Sequence, residues 1–377
     1  FAITLIAVMG VATITPVFYK IKEIFDINAE QVGYLVVAFT LPGVILTPVL
    51  GAMADRFGRK IILVPSLFLF GIAGTVCGFM RDFEWLIGFR FIQGVGAASI
   101  GSLNVTLIGD LYSGKNRTRA MGYNASVLSV GTAVYPAIGG GLAMLAWYYP
   151  FFLPLLAVPV GLIVMKRLDN PEPTAEENFW DYFKTTIAYL NNKRVLGLLM
   201  ISIFTFILLY GPFLTYFPIL LGDRFEAKAY EIGIILSFAS VSTAVTSSQL
   251  DRISEILSDT KLLVTAYFFY MLAMLTAAFM PGEWYLLISA ALFGIAQGIN
   301  LPGVLNMLAS SAPLKVRGAF MSVNGWVLRI GQTLGPLLAG FVYAEYSLNA
   351  TFYFGMGIAV IMLLVVVTMI GKKDVSA

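Results

Sequence analysis

The chain has 377 residues, 59% hydrophobic and 12% charged, with a formal net charge of +3 and a mean hydropathy of +0.85. Soluble domains carry about 25% charged residues, so this composition excludes a water-soluble globular fold, whose surface it cannot cover. There is no His and a single Cys77, which excludes Ser-His-Asp triads, His-ligated metal sites and an intrachain disulfide.

An apolar helix of about 20 residues crosses the hydrocarbon layer. In chain order, polar breaks delimit twelve such stretches: 1–19, 31–54, 61–80, 85–111, 118–145, 149–166, 195–221, 230–250, 261–280, 284–310, 318–342 and 349–371. The first, opening at Phe1, reads as a retained helix and not a signal peptide. The second ends in a charged hinge, Gly51, Asp55, Arg56, Gly58, Arg59 and Lys60, which cannot lie in hydrocarbon and marks a tight polar turn. The third contains Cys77, read as a small packing residue. The fourth carries Arg90, either a functional group, being expensive to bury, or a side chain that snorkels to the interface.

Between the sixth and seventh stretches lies the longest polar segment, about 167–194. Asp169, Asn170, Pro171, Glu172 and Pro173 break any helix, and Phe179, Phe183, Ile187 and Leu190 then recur at helical spacing. That pattern suits an amphipathic helix on the membrane surface, connecting two halves, 1–166 and 195–377.

Lys and Arg concentrate in the loops that share a side with the Gly51–Lys60 hinge, among them Lys115, Arg117, Arg119, Arg252, Lys261 and Lys315, with Lys372 and Lys373 in the tail. The positive-inside rule then places both termini in the cytoplasm of a multi-pass protein of the cell inner (plasma) membrane. The net charge is explained by topology, so no nucleic-acid partner is expected.

The halves echo each other at an offset near 200: Gly33 with Gly233, Arg117 with Arg317, Met121 with Met321, Asn124 with Asn324, Gly131 with Gly331, Pro136 with Pro336 and Gly140 with Gly340. Gln93-Gly94 is echoed by Gln297-Gly298, and Asp55-Arg56 by Asp251-Arg252. Six spans give both halves the same membrane orientation, so they are parallel repeats.

Three motifs carry a resemblance to the major facilitator superfamily that covers essentially the whole chain. The 51–60 hinge resembles the family's loop motif; Gly51 would allow close helix approach and Gly58 a tight turn. The resemblance implies that Arg59 pairs with Asp110 at the inner end of the fourth span, and that Asp55 sits near the N-terminus of the eleventh. Together they would form a latch across the halves that stabilises an outward-facing state. Arg90, Gln93, Gly94, Gly96, Ala97 and Ala98 resemble a second family segment. Gly131, Pro136, Gly139 and Gly140 resemble the gating element of twelve-helix drug:proton antiporters, with Tyr135 in place of a Gly; Gly335, Pro336 and Gly340 repeat it in closer form. Both bends are expected at gating joints.

The resemblance further implies a central cavity lined by the first, fourth, seventh and tenth helices. Mapped here, the candidates are Thr13, Thr15, Arg90, Gln93, Asn104, Tyr210, Phe213, Tyr216, Phe217, Gln297, Asn300 and Asn306, with Asn324, Trp326 and Arg329 from the eleventh. Arg90 and Arg329 lie within spans, whereas no Asp or Glu lies near the middle of one. That departs from the antiporters' usual buried carboxylate and leaves Asp110, Glu30 or Glu231 as proton carriers.

The expectation is an all-α integral membrane protein of twelve helices in two six-helix halves, the major facilitator fold. It would act as a monomeric secondary transporter by alternating access. Its partners would be a small-molecule substrate, protons and membrane lipids, with no cofactor. The direction expected is proton-coupled efflux of small amphipathic, neutral or anionic compounds; the alternative is a solute importer or a lipid or lysolipid carrier. An enzyme is not expected, because the sequence offers no nucleophile–base pair.

Overall fold

The computed structural model describes residues 1–168, 192–311 and 317–371. Most of the 167–194 linker, with its expected amphipathic helix, falls outside the described residues, as do Lys315, Lys372 and Lys373.

Twelve helical segments are long and apolar enough to cross a membrane: α1 Ala2–Ile24, α2 Ala29–Phe57, α3 Arg59–Cys77, α4 Phe83–Leu111, α5 Gly114–Ala143, α6 Tyr149–Arg167, α7 Lys193–Phe225, α8 Ala229–Ser248, α9 Asp259–Phe279, α10 Glu283–Ser311, α11 Phe320–Glu345 and α12 Leu348–Ile370. Polar breaks end them through specific caps. Asn28 and Gln31 form a reciprocal capping box on α2, and the Asp82 carboxylate accepts from the Glu84 and Trp85 amides on α4. Asn192 and Ser347 cap α7 and α12.

α1 runs five residues beyond the expected 1–19, because Lys20, Lys22 and Glu23 ride on a helix that continues past the apolar stretch. It is also broken. A 3-10 turn at Thr15–Val17 separates Ala2–Ala12 from Phe18–Ile24, at the point where Pro16 removes a donor. There the hydroxyls of Thr13 and Thr15 donate to the carbonyls of Met9 and Val11 at 2.9 and 2.8 Å. α7 contains a π-helical stretch, Leu209–Tyr216, around Pro212; the Thr215 hydroxyl donates to the Tyr210 carbonyl at 2.6 Å.

The residues cluster into two compact units. The first comprises Phe1–Glu176 with Leu221–Ser237, and the second Glu177–Leu220 with Phe238–Ala377. In the first, α4 packs on α2 and α3, and α1 packs on α5. Gly94 and Gly96 permit those crossings: a Cβ would lie 2.3 Å from the Phe39 carbonyl oxygen and 2.6 Å from the Phe70 nitrogen. In the second, α9 packs on α10 and α12, and α7 on α11. The 221–237 stretch, which the sequence assigns to the second half, packs in the first unit.

Candidate functional site

Gly58 alone joins α2 to α3. Its φ of 99° and ψ of 143° lie where only glycine is comfortable, so the chain reverses within one residue. The reversal sets Arg59 at the start of α3, one turn from Asp55 and facing the end of α4. Arg59 is buried. Its Nη1 donates to Asp55 Oδ1, and its Nε donates to Asp110 Oδ2 at 3.2 Å. One guanidinium thus bridges two carboxylates and ties three helix ends together. Lys60 Nζ donates to the Leu168 carbonyl at 2.7 Å, where a cation complements the end of α6. Arg56 is exposed and lies over the Phe57 ring at 5.5 Å. Gly51 departs from expectation: among the described residues a Cβ there would meet nothing within 4 Å.

Arg90 is 1% exposed, so it does not snorkel. It is a node of helix packing. Nη1 donates to the Gly10 carbonyl of α1 at 3.0 Å and to Gln93 Oε1 at 2.7 Å, and Nε donates to the Leu35 carbonyl of α2 at 3.3 Å. The Phe39 ring lies 4.5 Å from the guanidinium carbon, a cation–π contact in a low-dielectric interior. Arg90 Nη2 and Gln93 Nε2 are buried donors without a partner among the described residues.

Closer to the Gly58 end, Asn104 donates through Nδ2 to Thr4 Oγ1 and to Asn124 Oδ1, both at 2.9 Å, and the Thr4 hydroxyl donates to Asn124. This closed triad joins α1, α4 and α5. Thr4 and Asn124 were not among the candidate site residues; the repeat of Asn124 at Asn324 was the signal that pointed to this position. Thr13 and Thr15 are fully buried with their hydroxyls spent on α1 itself.

In the second unit, Phe213 stacks on Phe293 with ring centroids 3.8 Å apart, and Phe217 packs against Phe213 and Phe352. Tyr216 is buried beside Tyr343. Gln297 accepts from the Tyr270 hydroxyl, and Asn300 Nδ2 donates to Thr205 Oγ1 at 2.7 Å. Among the described residues the buried Oδ1 atoms of Asn300 and Asn324 have no partner. Of the fifteen sequence candidates, those that keep exposed surface here include Tyr210, Trp326, Arg329 and Asn306. Arg329 Nη1 donates to Gln332 Oε1 at 3.3 Å and lies within electrostatic reach of Tyr210. No ion pair reaches Arg329 among the described residues. Arg90, Asn104, Gln297 and Asn300 spend polar groups on neighbouring helices of their own unit, and Gln93 accepts from Arg90 on its own helix. Among the described residues no cluster of acids and Cys could hold a metal ion.

The family model of the Major Facilitator Superfamily matches residues 1–283 and 223–376. The chain belongs to that superfamily. Its sequence is 27% identical to multidrug resistance protein 1 of Bacillus subtilis over 357 residues, covering 93% of this chain and 90% of that one. It is 22% identical to the quinolone resistance protein NorA of Staphylococcus aureus over 355 residues, with the same coverage. The fold matches the nucleoside transporter NupG with a TM-score of 0.79 at 12% identity, over 99% of both chains. It matches the human organic anion transporter MFSD10 with a TM-score of 0.70 at 16% identity, over 97% of this chain and 98% of that one.

In this major facilitator chain the proline bends sit where backbones touch. A Cβ on Gly139 would fall 1.9 Å from the Thr13 carbonyl oxygen, and one on Gly140 2.3 Å from that of Ala229. Gly131 lies against Val8 and Leu5, and Tyr135, in the place of a Gly, is itself buried. Around Pro336, Gly335 meets the Ile207 carbonyl and the Gly211 nitrogen, and Gly340 is buried. The Ala137 amide, just after Pro136, donates to Ser237 Oγ at 3.1 Å.

The sequence reading missed the fastening at the end of the first unit opposite Gly58. Lys22 Nζ donates to both oxygens of Asp223, at 2.6 and 2.7 Å, and Tyr19 lies against Gly222. Residues 201 positions apart carry no local signal of their pairing.

Proposed function

We propose that this transporter exports small amphipathic compounds, neutral or anionic, in exchange for protons, alternating between two conformations. The observation that carries the substrate charge is Arg329, a half-buried cation in a membrane span, held by one amide oxygen and lacking an acid partner among the described residues. A charge so placed is costly unless something complements it, and an anionic or strongly polar acceptor group on a substrate does so. Tyr210 and Trp326 supply aromatic surface in the same unit, fitting a mostly apolar site with few polar groups. The resistance proteins among its relatives support export.

The halves 1–166 and 195–377 are the proposed moving bodies, joined by the 167–194 linker. The Asp55–Arg59–Asp110 cluster is the proposed latch, and Asp110, Glu30 or Glu231 the proposed proton carrier. The loop-charge bias supports a plasma-membrane monomer with both termini in the cytoplasm.

Substrate-triggered proton flux in proteoliposomes across a chemical library tests this reading. Outward substrate movement with inward protons, lost in Arg329→Ala and altered in Asp55→Asn, supports it. Substrate-driven flux in the importing direction favours the alternative, a solute importer or lipid carrier.

A further inference from the structure

The end of the first unit that carries Gly58 also carries the turn between α4 and α5, since Arg59 at the start of α3 reaches Asp110 in the last turn of α4. Three cations follow that turn closely, Lys115, Arg117 and Arg119, and all three are exposed. The chain supplies them with no local counter-charge. There is no Asp or Glu from Leu111 to Leu168, a stretch that takes in the whole of α5 and α6. Asp110, the nearest acid in sequence, is held by Arg59, and no ion pair reaches the three cations among the described residues. Arg59 and Lys60 at the same end are instead spent on the protein, on Asp55 and Asp110 and on the Leu168 carbonyl.

The patch is not only charged. Leu111, Tyr112 and Tyr123 expose large apolar side chains beside it. Tyr123, one turn after Arg119, fixes that side chain: Arg119 Nε donates to the Tyr123 hydroxyl at 3.1 Å, and the guanidinium carbon lies 5.4 Å from the ring centroid. The exposed Phe1 ring meets Tyr123 edge-on at 6.2 Å. Arg117 folds back along α4, where a Cβ on Gly109 would stand 3.2 Å from its Nη2. Cations set above tyrosine and aliphatic surface suit the boundary between headgroups and hydrocarbon. An acidic peptide or a nucleic acid would match the charge and leave Phe1, Leu111 and both tyrosines uncovered.

We propose that the α4–α5 turn binds the headgroup of an anionic phospholipid in the adjoining leaflet. Lys115, Arg117 and Arg119 take the phosphate oxygens, and Leu111, Tyr112 and Tyr123 lie against the glycerol and upper acyl chains. This lipid is a resident of the protein's rim and not its cargo, so the inference rests on neither the substrate nor the direction of transport.

Titration of the purified full chain in a neutral detergent with dioleoylphosphatidylglycerol, dioleoylphosphatidylcholine and glycerol 3-phosphate tests it, read by native mass spectrometry and by melting temperature. The unaltered chain is expected to bind phosphatidylglycerol at least fivefold more tightly than phosphatidylcholine, with a gap that closes as salt rises. Arg117→Gln combined with Arg119→Gln should remove that preference. Lys115→Glu, at an exposed side chain with no ion pair among the described residues, should remove it too. Arg252→Gln combined with Lys261→Gln takes an equal charge from exposed positions around the α8–α9 connection and should leave the preference in place. Equal weakening in the two double variants overturns the proposal, because the attraction would then belong to basic loops in general. So does an absence of preference for phosphatidylglycerol in the unaltered chain. Glycerol 3-phosphate binding as tightly as the lipid also overturns it, since the partner would then be a soluble phosphate.

Discussion

Arg59 Nε stands 3.2 Å from Asp110 Oδ2 while its Nη1 holds Asp55, so a single buried guanidinium serves two carboxylates at the junction of α2, α3 and α4. Asp110 keeps 25% of its side-chain surface and Asp55 51%, whereas Arg59 keeps 9%. The cost of breaking this cluster therefore depends on which member is removed.

Removing Arg59 leaves two acids facing each other at a helix junction, and removing Asp55 leaves the Asp110 pair intact. Arg59→Ala is expected to destabilise by about 2–4 kcal/mol, approaching the cost of breaking a buried pair, and Asp55→Ala by under about 1 kcal/mol. Thermal unfolding in detergent checks this; equal losses in the two variants would show that Asp55, and not Asp110, carries the cluster.

The two glycines of the hinge should separate. Gly58→Ala forces a side chain into φ 99° and is expected to cost about 1–3 kcal/mol. Gly51→Ala meets open space in this conformation and should leave stability unchanged. Should Gly51→Ala nonetheless slow transport with no loss of stability, its role belongs to another conformation of the cycle.

Arg90 offers a contrast between truncation and replacement. The Gly10 and Leu35 carbonyls it reaches lie within helices, so an apolar side chain of similar volume strands little there. Arg90→Ala should cost about 3–5 kcal/mol through a cavity and the lost donor to Gln93, and Arg90→Met less than half of that. Similar losses in the two variants, measured by denaturant unfolding, would mean that the charge itself holds α1 and α2.

At the α5 bend, Gly139→Ala places a methyl group against the Thr13 backbone and is expected to cost about 1–3 kcal/mol. Gly141→Ala, two residues on, meets nothing within 4 Å and is the matched control. Comparable melting temperatures for both would contradict the close α1–α5 crossing.

Much of this was legible before any coordinates. Hydropathy reports a twenty-residue apolar requirement directly, so the twelve spans emerged with only their ends displaced; α1 ran on because charged residues continue a helix once it leaves hydrocarbon. The Arg59–Asp110 approach followed from the resemblance. Burial was harder to read. Arg90, Gln93 and Asn104 look alike as polar residues in an apolar span, and which helix they face depends on contacts 20 to 100 residues away. The π-helical stretch of α7 had a cue in Gly211-Pro212, yet proline marks a break without naming its form. Lys22–Asp223 had no cue at all, since period and composition carry no record of which distant residues meet.

The account turns on Arg329 as the cation that selects substrate charge. Transport of a matched series of anionic, neutral and cationic fluorescent dyes, by the unaltered chain and by Arg329→Ala in proteoliposomes, measures this directly. The account predicts preference for anionic and neutral dyes, with anionic transport falling at least tenfold in Arg329→Ala. A preference for multivalent cations that is unchanged in Arg329→Ala would contradict it.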